Sequence, residues 1–290
     1  MNVADRIVEA LVAEGVTLAA GIAGNDVGKI LDALGRADAI DLVYVRQERA
    51  AIDICDGFAR ASGRVAVCFT DSGPAAANIM GGMVNSFGDG TPVLFFAGHN
   101  ERTSVPAGTT KELPFLEVFG PVSKYAEIIR DPSQTAEILR RAFMALRTGR
   151  PGPVVIGMPA DVSAMELEDF DYRPVASRPR VRGGADPEMV AKAVEMIAAA
   201  ERPYLYVGAG VLQSDASAKL VEFAELLTLP CATTLNGKSA FPENHPLALG
   251  LGGFARAAYT TLPAAMCADN ADLILTIGAG FRQQIGRAHV

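Results

Sequence analysis

Residues 43–63 read VYVRQERAAIDICDGFARASG, and this stretch decides how the rest of the chain is read. A short apolar run, Val43-Tyr44-Val45, leads directly into a helix, and the junction carries one carboxylate, Glu48. A glutamate in the first turn of a helix is favoured by the helix dipole and by the unsatisfied amide groups there, so capping alone would account for it.

Working outward, short runs rich in β-branched residues alternate with amphipathic helical stretches. Val16–Ile22, Asp41–Val45, Arg64–Thr70, Pro92–Gly98 and Pro153–Met158 read as strands. Their continuous apolarity predicts burial on both faces, hence an α/β protein whose mainly parallel sheet is covered by helices on each side. Ser72-Gly73-Pro74 follows one of these strands: glycine permits the turn and proline starts the next helix, with Asn78 one turn further on.

Asp131-Pro132 supplies an N-cap and a first-turn proline for a helix whose stripe is Ile138, Leu139, Ala142, Phe143 and Leu146. Asp186-Pro187 repeats the device, with Met189, Val190, Ala193, Val194 and Ile197 as the expected buried face. Between these helices residues 161–186 lose periodicity and gather Asp, Glu, Arg and Pro. The spacing therefore predicts a first domain over 1–163, a linker over 164–186 and a second domain over 187–284. Pro203–Val207, Leu273–Ile277 and, more weakly, Leu229–Thr233 are the strands expected in the second domain.

Half of the 290 residues are hydrophobic, enough for about two domains of roughly 150 residues each. The net charge of −7, with Lys and Arg scattered, argues against a nucleic-acid partner. No apolar run approaches the ~18 residues of a membrane span, and Asp5, Glu9 and Glu14 interrupt the amino terminus as they would a surface helix, so no membrane partner and a cytoplasmic location are expected. Cys55, Cys68, Cys231 and Cys267 lack metal-ligand spacing and read as small core residues; no metal ligands are assigned.

Five blocks, in order, give the chain a resemblance. They are Gly21-Ile22-Ala23-Gly24; Val45-Arg46-Gln47-Glu48; Asp56-Gly57-Phe58-Ala59-Arg60-Ala61-Ser62-Gly63; Ser72-Gly73-Pro74-Ala75-Ala76-Ala77-Asn78; and Gly149-Arg150-Pro151-Gly152-Pro153-Val154. Together they resemble the pyrimidine-binding domain of the acetohydroxyacid (acetolactate) synthase, pyruvate oxidase and benzoylformate decarboxylase superfamily of thiamine-diphosphate-dependent enzymes. The segment from Arg202-Pro203-Tyr204 through Thr233-Thr234-Leu235-Asn236-Gly237-Lys238 to Ala271-Asp272-Leu273 resembles the central domain of the same enzymes. The resemblance implies two doubly wound domains, the second incomplete.

It also implies that Glu48 is catalytic, bonding a ring nitrogen of the aminopyrimidine so that the cofactor's exocyclic nitrogen can take the thiazolium proton. Ala23, Gly24, Gly73, Pro74 and Asn78 are then cofactor-binding, with glycine at 73 admitting the flat ring close to the backbone. Mg2+ would be held through a diphosphate domain that carries a Gly-Asp-Gly motif. Gly88-Asp89-Gly90 is not that motif, because it closes a helix before Pro92, so the chain is expected to be a fragment, inactive alone, with 285–290 a non-native tail. FAD is a further option in the central domain, although Gly208-Ala209-Gly210 is a weak nucleotide signal without a third glycine. A homodimer or homotetramer through the pyrimidine-binding domain is implied.

Within the superfamily, Gly120-Pro121-Val122-Ser123-Lys124 and the blocks after Arg202 resemble the synthase branch, which implies carboligation of a 2-oxo acid such as pyruvate. Two positions depart from the pattern. Thr110-Lys111-Glu112 stands where synthases carry Phe-Gln-Glu, and Asp71 stands where decarboxylase relatives place a histidine. Asp71, Lys111 and Lys124 are the substrate candidates. A 2-oxo acid decarboxylase and a noncatalytic nucleotide-binding or regulatory protein are the alternatives.

Overall fold

The computed structural model describes residues 1–105, 108–177, 183–253 and 261–280, so the expected tail at 285–290 lies outside the described residues. The chain divides into two units, Met1–Arg180 and Val181–Val290, with the boundary inside the segment expected as a linker.

The first unit begins with α1 (Val3–Ala13), β1 (Leu18–Gly21), α2 (Gly28–Gly35), β2 (Asp41–Tyr44) and α3 (Glu48–Ser62). It continues with β3 (Ala66–Thr70), α4 (Pro74–Asn78), α5 (Met80–Asp89), β4 (Val93–His99) and α6 (Phe115–Phe119). β5 (Tyr125–Ile128), α7 (Thr135–Arg147), β6 (Val154–Pro159) and α8 (Ala160–Ala164) complete it. All six strands run parallel in the order β2-β1-β3-β4-β6-β5.

Alternation along the strands builds two cores. Val67, Phe69, Leu94, Phe96 and Ile156 pack with α1, α2 and α7 on one face. Ala66, Cys68, Phe95, Ala97 and Val155 pack with α3, α5 and α6 on the other. β3, β4 and β6 are thus buried on both faces, as their apolar runs require. β2 is the exception to that expectation: it lies at the sheet edge and leaves Tyr44 59% exposed. Gly90, with φ 73°, closes α5, so Gly88-Asp89-Gly90 is a helix end.

Much of the expected linker is a strap on the first unit. Leu167 and Val175 are buried, and Phe170 and Tyr172 pack against the same core. The fully buried Glu14 carboxylate holds the strap: it accepts from the Tyr172 hydroxyl at 2.6 Å, from the backbone N–H of Val175 at 2.6 Å and of Ala176 at 3.0 Å, and lies 3.2 Å from the Arg147 guanidinium. Burial, then the Glu14 carboxylate, hold the Tyr172 hydroxyl far above its usual pKa. Tertiary contacts made by a few side chains leave no periodicity, which is why the sequence reads as a linker there.

The second unit contains α9 (Pro187–Ala199), β7 (Pro203–Val207), α10 (Gly210–Gln213), α11 (Ser217–Leu227), β8 (Cys231–Thr233), β9 (Ala248–Leu251), α12 (Leu262–Asn270) and β10 (Leu273–Ile277). Its parallel sheet has the order β10-β7-β8-β9. α9 forms where expected, with Asp186 accepting from Glu188 N at 2.8 Å, but none of its residues is buried. The expected inner face is largely open instead, with Met189 60%, Val190 48% and Val194 59% exposed and Ala193 and Ile197 half-buried. Cys55, Cys68 and Cys231 are buried and Cys267 is half-buried, consistent with core thiols.

Candidate functional site

Because the six strands of the first unit are parallel, every connection leaving a strand's carboxyl end emerges at one edge of the sheet. β1 sends its connection to α2 on one face, whereas its neighbour β3 sends its own to α4 and α5 on the other. Adjacent strands with diverging connections leave a crevice at that edge, where ligands of open α/β sheets bind. Ala23, Gly24 and Asp26 follow β1, Glu48 follows β2, Asp71 to Pro74 follow β3, and Lys111 lies in the connection after β4. Residues far apart in sequence thus share one edge.

Glu48 is the first residue of α3, but it does not cap the helix. Gln47 does, its side chain accepting from the Ala50 N–H at 3.1 Å. The partly buried Glu48 carboxylate turns instead to α4, where Asn78 Nδ2 donates to Oε2 at 3.1 Å. Oε1 takes no hydrogen bond from any described residue. Two residues expected at the cofactor are therefore joined, and one carboxylate oxygen remains available to a ligand.

Beside them is a charged cluster. Lys111 Nζ lies 2.7 Å from Asp71 Oδ2 and 3.8 Å from Asp26 Oδ2, and the Asp26 N–H donates to Asp71 Oδ1 at 3.0 Å. The Ser72 hydroxyl donates to Asp26 Oδ2. Burial raises the Asp71 pKa, but the Lys111 ammonium and the N–H groups of Asp26 and Ser72 outweigh it and hold the carboxyl below its usual value. The pairing with Asp71 raises Lys111 in turn. Asp26 is a site residue that sequence reasoning missed; the available signal was its position just past the end of β1.

Gly73 has a reason within the fold itself. It adopts φ 57°, and a Cβ there would lie 2.5 Å from the Lys111 carbonyl oxygen. Close approach is made by the 109–112 main chain, which adopts φ 68° at Lys111. A Cβ at Gly24 would similarly meet Asp71 Cγ at 2.4 Å. Ala23 and Pro74 are exposed at the crevice edge. Lys124 does not join them: it precedes β5, at the opposite edge of the sheet, and its Nζ donates to the carbonyls of Ala145 and of Thr148 (2.6 Å) at the end of α7. A lysine there complements the helix terminus. Burial and then the Arg150 charge lower its pKa.

Residues 1–118 match the family described as "Thiamine pyrophosphate enzyme, N-terminal TPP binding domain", and residues 190–288 match "Thiamine pyrophosphate enzyme, central domain". The chain belongs to the thiamine pyrophosphate enzymes. Among similar proteins is the "Probable acetolactate synthase large subunit" of Methanococcus aeolicus, 38% identical over 98% of this chain and 47% of that protein. Its counterpart in Methanocaldococcus jannaschii is 36% identical, covering 98% and 48%. The "Acetolactate synthase isozyme 3 large subunit" of Escherichia coli is 32% identical, covering 96% and 48%. The chain thus spans about half the length of the curated relatives it matches. A Mycobacterium smegmatis X-ray structure, described as thiamin diphosphate-dependent, shares the fold with TM-score 0.79 at 24% identity, covering 96% of this chain and 52% of that one.

In the second unit the glycines after β7 pack against main chain. A Cβ at Gly208 would meet the Gly278 carbonyl oxygen at 2.3 Å, and one at Gly210 would meet Gly278 Cα at 2.7 Å. They let the ends of β7 and β10 lie together, which accounts for Gly208-Ala209-Gly210 without a nucleotide. His245, a turn residue, takes part in a 3.1 Å contact with Glu225.

Proposed function

We propose that the chain is the amino-terminal part of a thiamine-diphosphate-dependent carboligase acting on 2-oxo acids, acetolactate-synthase-like, with Glu48 as the acid that activates the cofactor. The Glu48–Asn78 pair at the β1/β3 crevice carries this reading: the helix is capped by Gln47, so the carboxylate is left for another task. Relatives named as acetolactate synthases support the reaction class.

The residues fit the cofactor. A carboxylate with one oxygen fixed by Asn78 and the other open can exchange a proton with a ring nitrogen at Oε1. Ala23, Gly24, Gly73 and Pro74 would form the walls around the aminopyrimidine, and Asp71 and Lys111 would face the substrate side. Bound there, thiamine diphosphate supplies a nucleophilic carbon that adds to the carbonyl of a 2-oxo acid.

Mg2+ would accompany the diphosphate and be held by the remainder of the full-length protein, of whose relatives this chain spans about half. FAD is left as an option for the second unit, with no residue assigned. The full-length enzyme is proposed to be a cytoplasmic homo-oligomer that pairs through the first unit. No described helix is long and apolar enough to cross a membrane.

The test is to supply pyruvate to the full-length protein with thiamine diphosphate and Mg2+. Acetolactate is the expected product. Acetaldehyde without acetolactate would favour the decarboxylase, and failure to consume any 2-oxo acid would overturn the proposal.

A further inference from the structure

A second crevice opens at the carboxyl edge of the first sheet. β4 and β6 are neighbours, paired in parallel as far as His99 and Pro159, yet β4 sends its connection to α6 on one face and β6 sends its own to α8 on the other. Connections that part to opposite faces leave a gap beyond the strand ends, as they do at β1 and β3. A cavity of about 750 Å3 fills that gap, a size that holds small molecules. Two strand spacings, about 10 Å, separate the two crevices.

The cavity is apolar in its walls and rich in acceptors. Phe115 and Ile128, both buried, and the partly buried Leu113 supply hydrocarbon surface. His99 packs edge-on to Phe115, with ring centroids 5.8 Å apart. Its Nδ1 lies 3.0 Å from the Asn100 carbonyl, which can only accept, so Nδ1 carries the hydrogen and Nε2 of the neutral ring is an acceptor. Glu112 and Glu117 line the same cavity, and neither carboxylate has a hydrogen bond or ion pair with a described residue.

The cations beside them are committed. The Arg102 guanidinium donates to Asp161 at 2.7 Å, to the Arg130 carbonyl at 3.0 Å and to the Met165 sulfur at 3.2 Å. The Arg130 guanidinium lies 3.6 Å from Glu127. Four carboxylates, Glu112, Glu117, Asp161 and Glu127, thus stand against two guanidiniums in and beside the cavity.

We propose that this cavity binds a small apolar amine, its hydrocarbon against Leu113, Phe115 and Ile128 and its ammonium at Glu112, Glu117 and His99 Nε2. An ammonium has three donors and no acceptor, which matches those three groups. A carboxylate would meet like charge, and an alcohol would forgo the charge assistance.

Three ligands with one branched five-carbon skeleton separate these cases: 3-methylbutylamine, 3-methylbutanol and 3-methylbutanoate, each titrated calorimetrically into the full-length protein at neutral pH. Cofactor-free protein serves, so the outcome does not depend on the reaction proposed above. The amine is expected to bind about tenfold tighter than the alcohol, the scale of a hydrogen bond to a charged group, with the carboxylate weakest. The double substitution Glu112→Gln, Glu117→Gln should bring the amine down to the affinity of the alcohol. Glu195→Gln, an exposed position in the second unit, should change nothing, which separates a site from attraction to the net negative charge of the chain. If the double variant does not fold, Glu117→Gln alone, exposed on α6, should weaken the amine several-fold and leave the alcohol unaffected. Equal binding of amine and alcohol, an amine preference that survives these substitutions, or no saturable binding of any of the three overturns the proposal.

Discussion

α7 and α9 start with the same local device and end in opposite environments. Asp131-Pro132 opens a short 3-10 turn that runs into α7, and Asp186-Pro187 opens α9, each aspartate accepting from a first-turn N–H. Both carry an apolar stripe at helical spacing. α7 lays Ile138, Leu139, Ala142, Phe143 and Leu146 into the core beside β4 and β6. α9 buries nothing, and a cavity of about 770 Å3 opens where Val194 and Ile197 face Phe223, Leu227 and Met266. Caps and stripes specify that a helix forms and which face is apolar. Burial depends on a partner surface, which the β4-β6-β5 part of the first sheet supplies and the described part of the second unit does not.

The comparison can be broken by truncation. Phe143→Ala in α7 is expected to cost about 3–5 kcal/mol by urea unfolding, and Val194→Ala in α9 to stay within about 0.5 kcal/mol. Similar losses would mean that α9 is packed after all. Within the first unit, Glu14→Ala strips the strap of its acceptor and leaves the Arg147 guanidinium without its carboxylate, an expected loss of about 3 kcal/mol, checked by unfolding and by new proteolytic cleavage at 165–177. Uncleaved strap and native stability would show that it is a passive linker.

Gly73→Ala should cost about 1–3 kcal/mol, because alanine must adopt φ 57° and meet the Lys111 carbonyl. Gly57→Ala, whose Cβ would meet nothing within 4 Å, is the control and should be neutral or slightly stabilising. The smallest effect is electrostatic. The depressed Asp71 pKa contributes stability at and above its ordinary value of 3.8, and this is lost as pH falls through the lower folded-state value. Solvent screening limits it to about 1 kcal/mol or less, so Lys111→Met should flatten the acid limb of the stability profile only slightly.

The central strands were legible because a strand buried on both faces must be apolar along nearly all its length, and β3, β4 and β6 are, apart from Thr70 and His99 at the carboxyl ends of β3 and β4. β5 and β9 were not. Both are edge strands with most or all residues half-buried, so they tolerate Glu127 and the small run Ala248-Leu249-Gly250-Leu251. Glu48 and Gly73 stand after strand ends and Asn78 closes the helix after β3, but a role for them was legible only through the ordered family blocks; the parallel sheet gathers them at one edge. Asp26 shares the position of the other residues past β1 but is singled out by its hydrogen bonds, and Lys124 could not be placed because β5, which it precedes, does not read as a strand.

Gln47 caps α3 and leaves the Glu48 carboxylate for the cofactor proposed above. The most direct measurement is the rate of hydrogen–deuterium exchange at C2 of thiamine diphosphate bound to the full-length protein, for wild type and Glu48→Gln. Exchange should fall by about a hundredfold or more in the variant, the scale of a lost general acid, with the cofactor still bound. Wild-type exchange in Glu48→Gln would contradict the assignment.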